Sequence, residues 1–191
     1  MSSTVTLRRW QRDALIAFAD RPTPDFLAVA CPGAGKTTFA LAALRAELGG
    51  RPRPIAITVP TAHLKIQWAH AAAGFGLHFE PDWKPAEGLA ADMHGVVVTY
   101  AQAASASDRL AELVRDGIVV LDEVHHAADD RTWGDGVRHA FEPAAVRLLL
   151  SGTPFRSDDS PIPFVRYSNG DHGEAVSDFD YGYGEALREG G

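Results

Sequence analysis

Apolar and polar positions along this chain change period repeatedly. Over residues 7–18, Leu7, Trp10, Ala14, Leu15 and Phe18 recur at three- and four-residue spacings, which predicts an amphipathic helix with one buried face. The run Arg21-Pro-Thr-Pro24 ends it. Residues 26–30 form a short unbroken apolar run, as expected of a strand covered on both faces. A glycine-bearing turn follows, and then a helical stretch over 37–48 that stops at Gly49-Gly50. The alternation continues with strand 55–59, helix 62–73, strand 96–100, helix 108–115, strand 118–121, a weak helical pattern over 137–141 and strand 147–150. Residues 74–93 carry no clear period. Five apolar strands alternating with helices predict a three-layer α/β domain around a mainly parallel sheet. Such sheets bind ligands at the carboxyl ends of their strands, and the polar signatures of this chain all fall there.

Length and composition narrow the picture. The 191 residues are 46% hydrophobic and 23% charged, an ordinary globular balance that excludes gross disorder and coiled coil. Residues 156–191 contain Asp, Ser, Gly, Pro and Tyr with no sustained period. They are expected to be a linker or docking tail behind a folded domain of residues 1–155. One cysteine excludes an internal disulfide framework and a cysteine-clustered zinc site. A net charge of −7 argues against a charge-driven, histone-like binder while leaving room for a local basic surface. No stretch approaches the roughly 18 consecutive apolar residues of a membrane span, and residues 1–12 show no apolar signal-peptide core. The expectation is a soluble, cytoplasmic protein without a membrane partner.

Two segments carry the chemistry. Ala30-Cys-Pro-Gly-Ala-Gly-Lys-Thr37 lies between a strand and a helix, the context of a phosphate-binding loop. Its glycines let backbone N–H groups turn toward phosphate oxygens, and the helix N-terminus adds partial positive charge. Lys36 would reach the β- and γ-phosphates and the Thr37 hydroxyl would hold Mg²⁺. Ala30 stands where the usual pattern has its outer glycine. The predicted nucleotide set is Pro32, Gly33, Ala34, Gly35, Lys36, Thr37 and Thr38. The second segment, Val119-Val-Leu-Asp-Glu-Val-His-His126, puts two carboxylates where a buried strand surfaces. Asp122 would hold the metal and Glu123 would activate the attacking water, the two diverging because side chains alternate along an extended backbone. His125 would contact the γ-phosphate region or relay to the last strand. A zinc reading of His125 and His126 is weak, because adjacent strand residues diverge and no cysteines accompany them.

Together, Ala30–Thr37, Asp122-Glu-Val-His125 and Ser151-Gly-Thr153 resemble the motor of superfamily 2 helicases, in the DExH branch near restriction-enzyme-type and DEAD/DEAH-like ATPases. The resemblance covers roughly residues 5–156. It implies the N-terminal RecA-like P-loop NTPase domain of such a motor, with ATP and Mg²⁺ as ligands. It also makes Gln11 an adenine-reading glutamine, since its amide offers one donor and one acceptor face. Val59-Pro-Thr61 and Val98-Thr-Tyr-Ala-Gln102 resemble the segments that hold a nucleic-acid backbone. Thr61, Lys65, Gln67 and Thr99 are the candidates there. Ser151 and Thr153 resemble the motif that couples phosphate state to domain movement. Of the four tryptophans, Trp10 and Trp68 are expected in the core, with Trp83 and Trp133 left open.

A complete motor of this kind has two RecA-like domains with ATP between them. No second α/β unit follows Phe155, and no motif marks Arg156 or Arg166 as a catalytic arginine. The expected partners are therefore nucleic acid, DNA rather than RNA, and a second RecA-like domain or split subunit. The isolated chain is expected to hydrolyse ATP slowly. The alternative is an ATP-gated nucleic-acid or protein-binding module, a restriction or remodelling subunit, that does not unwind.

Overall fold

The computed structural model describes residues 5–128, 131–153, 156–157, 161–170 and 172–189. The alternation read from the sequence becomes β1 (Asp25–Ala30), β2 (Ile55–Val59), β3 (Phe79–Glu80), β4 (Gly95–Thr99), β5 (Ile118–Leu121) and β6 (Val146–Ser151). The helices between them are α1 (Arg9–Ala19), α2 (Lys36–Leu48), α3 (Ala62–Ala73), α4 (Tyr100–Ser105), α5 (Ser107–Leu113) and α6 (Arg131–Phe141). Further on come β7 (Arg156–Ser157), β8 (Tyr167–Asn169), β9 (His172–Ala175), β10 (Phe179–Tyr181) and α7 (Tyr183–Glu189). Strands β10-β1-β6-β5-β2-β4-β3 form one sheet, in that order, and every neighbouring pair is parallel. The three-layer α/β expectation is what the chain adopts.

The strands are apolar throughout because each face meets helices. Alternate strand residues point to opposite faces. Phe26, Ala28, Ile57, Val120 and Leu148 join the side chains of α1, α2 and α3, among them Trp10, Phe39, Leu44 and Trp68. Leu27, Val29, Val98, Val119 and Leu149 join those of α4, α5 and α6, among them Tyr100, Leu110, Val137 and Phe141. Trp10 and Trp68 are core residues, each 2% exposed; Trp83 is buried too, and Trp133 packs half-buried against the second core.

Three readings change. Residues 74–93 contain the short edge strand β3, paired to β4. Tyr100, expected to end a strand, opens α4 because Thr99 caps it: the Gln102 N–H donates to Thr99 Oγ1 (3.2 Å) and the Thr99 N–H to Gln102 Oε1 (3.0 Å). Most consequential is the segment after Phe155, expected as a linker or docking tail. It builds a small antiparallel sheet, β7-β9-β8, and then supplies β10, which pairs with β1 along Ala28–Phe179 to Ala30–Tyr181. Asp178 fixes that return: its carboxylate accepts the Leu27 N–H at 2.8 Å and pairs with Arg166. Pro154 and Phe155, at the expected boundary, lie outside the described residues.

Candidate nucleotide site at the strand ends

The loop after β1 turns through two left-handed glycines, Gly33 at φ 77° and Gly35 at φ 94°, the latter capping α2. A Cβ on Gly35 would stand 2.8 Å from Gln11 Nε2, so only glycine fits without displacing that side chain. The start of α1 grips the loop from outside. Gln11 Nε2 donates to the Gly35 carbonyl (2.9 Å), the Trp10 indole N–H to the Ala34 carbonyl (3.1 Å), and the Arg8 guanidinium to Ala34 (3.1 Å) and Gly33 (3.4 Å). Gln11 is 2% exposed and its Oε1 accepts the Arg8 N–H at 2.8 Å. These two bonds use one amide N–H and one acceptor lone pair of the side chain, half of its capacity. On the other side, the Cys31 N–H donates to the Tyr181 carbonyl at the end of β10 (3.1 Å). Pro32 and Gly33 are exposed, Ala34 is buried, and Lys36, Thr37 and Thr38 are half-buried on the first turn of α2.

The three separated motifs meet at Lys36. Its ammonium lies 3.0 Å from Glu123 Oε1 and 3.3 Å from the Ala30 carbonyl. The other oxygen of Glu123 accepts the Gly152 N–H at 2.9 Å. A Cβ on Gly152 would come within 3.2 Å of Lys36 Nζ and 3.3 Å of Glu123 Oε1, so any larger residue there would press on that ion pair. Ser151 is fully buried and donates to the Thr153 carbonyl (2.9 Å), and Thr153 itself is exposed. The two carboxylates diverge for a reason other than strand alternation. The strand ends at Leu121, and Glu123 adopts φ 48°, a left-handed turn that non-glycine residues rarely accept. His125 follows on a short 3₁₀ turn, its Nδ1 3.8 Å from Glu123 Oε2 and its ring 4.5 Å from that of His126.

Asp122 occupies a drier position than Glu123, 8% exposed. Burial, foremost, holds its carboxyl above the usual carboxylate range, and the neighbouring Glu123 charge adds to this. The Trp68 indole N–H, donating to Oδ2 at 2.8 Å, opposes the shift, as do Lys36 and the Glu123 N–H. The buried carboxylate of Asp122, the ammonium of Lys36 near it, and the Thr37 hydroxyl and glycine amides at the start of α2 make up a donor set that suits a magnesium–triphosphate: hard oxygen ligands for the metal, N–H donors for phosphate oxygens.

The predicted nucleic-acid residues stand at neighbouring strand ends, since β2 and β4 pair with Val59 opposite Thr99. Thr61 and Gln67 are exposed, with Gln67 Nε2 2.9 Å from His63 Nε2. Thr99 is half-buried in its cap. Lys65 departs from expectation: it is 8% exposed and donates to Gln102 Oε1 at 3.2 Å, bracing the Thr99 cap instead of facing solvent. Sequence reasoning missed the loop-holding role of Arg8 and Trp10 and the links from Trp68 and Tyr100 to Asp122. The available signal was that a buried Trp or Tyr ordinarily needs a partner for its polar atom.

This arrangement defines a RecA-like α/β domain of the superfamily 2 helicase kind. Residues 4–156 match the family model described as Type III restriction enzyme, res subunit, and the chain belongs to that family. An uncharacterised protein of Mycobacterium tuberculosis is 49% identical over 96% of this chain, and one of Mycobacterium leprae 43% identical over 96%. The chain spans 32% of the length of each. Solved structures share the fold at low identity. The Sulfolobus solfataricus SWI2/SNF2 ATPase core in complex with dsDNA has a TM-score of 0.66 at 20% identity, covering 80% of this chain and 33% of that one. The Type ISP restriction-modification enzyme LlaBIII bound to DNA gives 0.67 at 13%, covering 97% and 16%. The Pyrococcus furiosus Hef helicase domain gives 0.61 at 22%, covering 80% and 34%. Among the described residues no helix is long and apolar enough to cross a membrane.

Proposed function

We propose that this chain is the ATP-binding half of a cytoplasmic nucleic-acid motor, a helicase or translocase, that works with a second RecA-like domain supplied in cis or by a partner subunit. The observation that carries the reading is the convergence of three distant segments: Lys36, Glu123 and Gly152 are joined by contacts of 2.9 and 3.0 Å, with the buried carboxylate of Asp122 next in sequence. Thr37 and Asp122 would hold Mg²⁺, which supplies charge neutralisation on the triphosphate. Lys36 would trade Glu123 for phosphate oxygens. Glu123, held by the Gly152 N–H, would take the proton of the attacking water, with His125 beside it. Gln11 would read the base with its remaining donor and acceptor. Ser151 and Thr153, flanking the glycine that contacts Glu123, suit a coupling role. Thr61, Gln67 and Thr99, the last braced through Lys65, would face the nucleic acid. DNA is favoured over RNA because two of the related structures are DNA complexes.

Residues 1–191 on their own are expected to hydrolyse ATP slowly, since arginines supplied by a second domain contribute about 10³–10⁵ in rate. Glu123→Gln decides the central assignment. It is expected to bind nucleotide like wild type and to lose about 10²-fold or more of the hydrolysis rate, measured with single-stranded DNA, duplex DNA and RNA as stimulants. Unchanged turnover removes Glu123 as the base.

A further inference from the structure

Asp122 is held from two directions, and both lead back to the predicted nucleic-acid segments. Helix α3 starts behind Thr61, and two turns later Trp68 donates its indole N–H to Asp122 Oδ2 at 2.8 Å. Helix α4 starts behind Thr99, and Tyr100 donates its hydroxyl to the Asp122 carbonyl at 2.9 Å. The two aromatic side chains are 2% and 1% exposed. A buried Trp or Tyr ordinarily finds a partner for its polar atom, so each bond alone says little. What distinguishes this pair is that two helices, each opening at a candidate nucleic-acid contact, end on one residue, by its carboxylate and by its backbone. Lys65 and Gln102 tie the helices to each other at 3.2 Å.

We propose that Trp68 and Tyr100 are positioning residues for Asp122, and that these two side chains are the route in this chain by which nucleic acid at the ends of β2 and β4 reaches the metal–nucleotide site. The inference rests on the nucleotide reading above and names two residues that would carry its coupling. Outer partners of metal-ligating carboxylates fix ligand orientation, and their loss costs about 10–100-fold in metal affinity. A nucleic acid that shifts α3 or α4 moves a donor on Asp122. By linkage, Mg²⁺–nucleotide then changes nucleic-acid affinity by the same factor.

The test compares wild type, Trp68→Phe, Tyr100→Phe and Lys36→Ala in the full chain. Fluorescent N-methylanthraniloyl-ATP is titrated in Mg²⁺ and in EDTA, and labelled single-stranded DNA is titrated with and without a non-hydrolysable ATP analogue, with thermal unfolding alongside. The two aromatic variants are expected to keep the EDTA affinity and to lose about 10-fold or more of the gain given by Mg²⁺. Their coupling factor between DNA and nucleotide falls toward unity. Tyr100→Phe removes one oxygen and keeps the ring, so it carries the test if Trp68→Phe fails to fold. Wild-type Mg²⁺ gain and coupling in the folded variants overturn the proposal. So does an equal loss of affinity in Mg²⁺ and EDTA, which marks a purely structural role. Wild-type binding that survives Lys36→Ala overturns the nucleotide reading itself, and this inference with it.

Discussion

Adjacent carboxylates take different environments here because one backbone angle separates them. At φ 48° Glu123 leaves the line of β5 and reaches Lys36 and Gly152, while Asp122 stays under α3 against Trp68. The strain that a left-handed non-glycine residue carries, of order 1–3 kcal/mol, falls on the residue proposed to do the chemistry. A gentler version of the same electrostatics appears on β10. Asp180 is exposed, yet partial desolvation, followed by the charge of Glu185, raises its carboxyl above the usual value. A raised carboxylate binds more protons folded than unfolded. Its ionisation therefore costs stability, a cost absent below the unfolded value and fully present once the pH has risen through the folded one. Asp180→Asn is expected to raise the melting temperature slightly at neutral pH, by about 1–2 °C as befits a surface change of at most about 0.5 kcal/mol. That advantage over wild type should vanish on acidification below the ordinary Asp range. An advantage that grows toward acid in parallel thermal melts would refute this sign.

At the scale of elements, helix α6 shows how packing hides a helix from sequence reading. Only 137–141 reads as weakly helical, because Gly134 and Gly136 interrupt the pattern, yet the helix runs from Arg131 to Phe141. Gly136 is there for closeness: a Cβ would meet the Ala104 Cα at 2.8 Å and its Cβ at 2.9 Å, where α6 crosses α4. Gly136→Ala gains about 1 kcal/mol of helix propensity and sets it against overpacking of about 1–3 kcal/mol. The net expectation is a melting temperature lowered by a few degrees, read by thermal unfolding, with α4 and α6 pushed apart. A rise in melting temperature would show that the contact yields. The buried strands were legible because strands covered on both faces are apolar without interruption, as 26–30 and 118–121 are. Their polar ends were legible because loop, carboxylate pair and Ser-Gly-Thr each follow such a run. Strands β3 and β10 were not, being two and three residues long with a charged residue in each. The inward turn of Lys65 and the grip of Arg8 and Trp10 on the loop were illegible for another reason. They depend on which helix lies over which strand, a matter of topology that no local pattern states.

The whole molecule is held together by a long return. Leu27 and the Asp178 that accepts its N–H stand 151 positions apart in sequence, and β10 then runs beside β1 to deliver the Tyr181 carbonyl to Cys31 at the mouth of the phosphate loop. Trp10 stacks on Tyr181 with ring centroids 5.1 Å apart, so the same return also backs the helix that holds the loop. The family match stops at residue 156, before any of this is reached. A version of the chain cut at that point keeps every recognised motif and loses the cover of β1. Its expected behaviour is self-association, detected by light scattering, because an apolar strand with bare N–H and C=O groups templates pairing with other chains. A monodisperse, nucleotide-binding truncation would contradict this. Biosynthesis meets the same problem without any cut. As the polypeptide leaves the ribosome from its N-terminus, β1 and its neighbour β6 are out well before β10. For that interval the strand that carries the nucleotide loop has an open side, and the nascent chain is at its most vulnerable to wrong partners until the last of its sheet has been made.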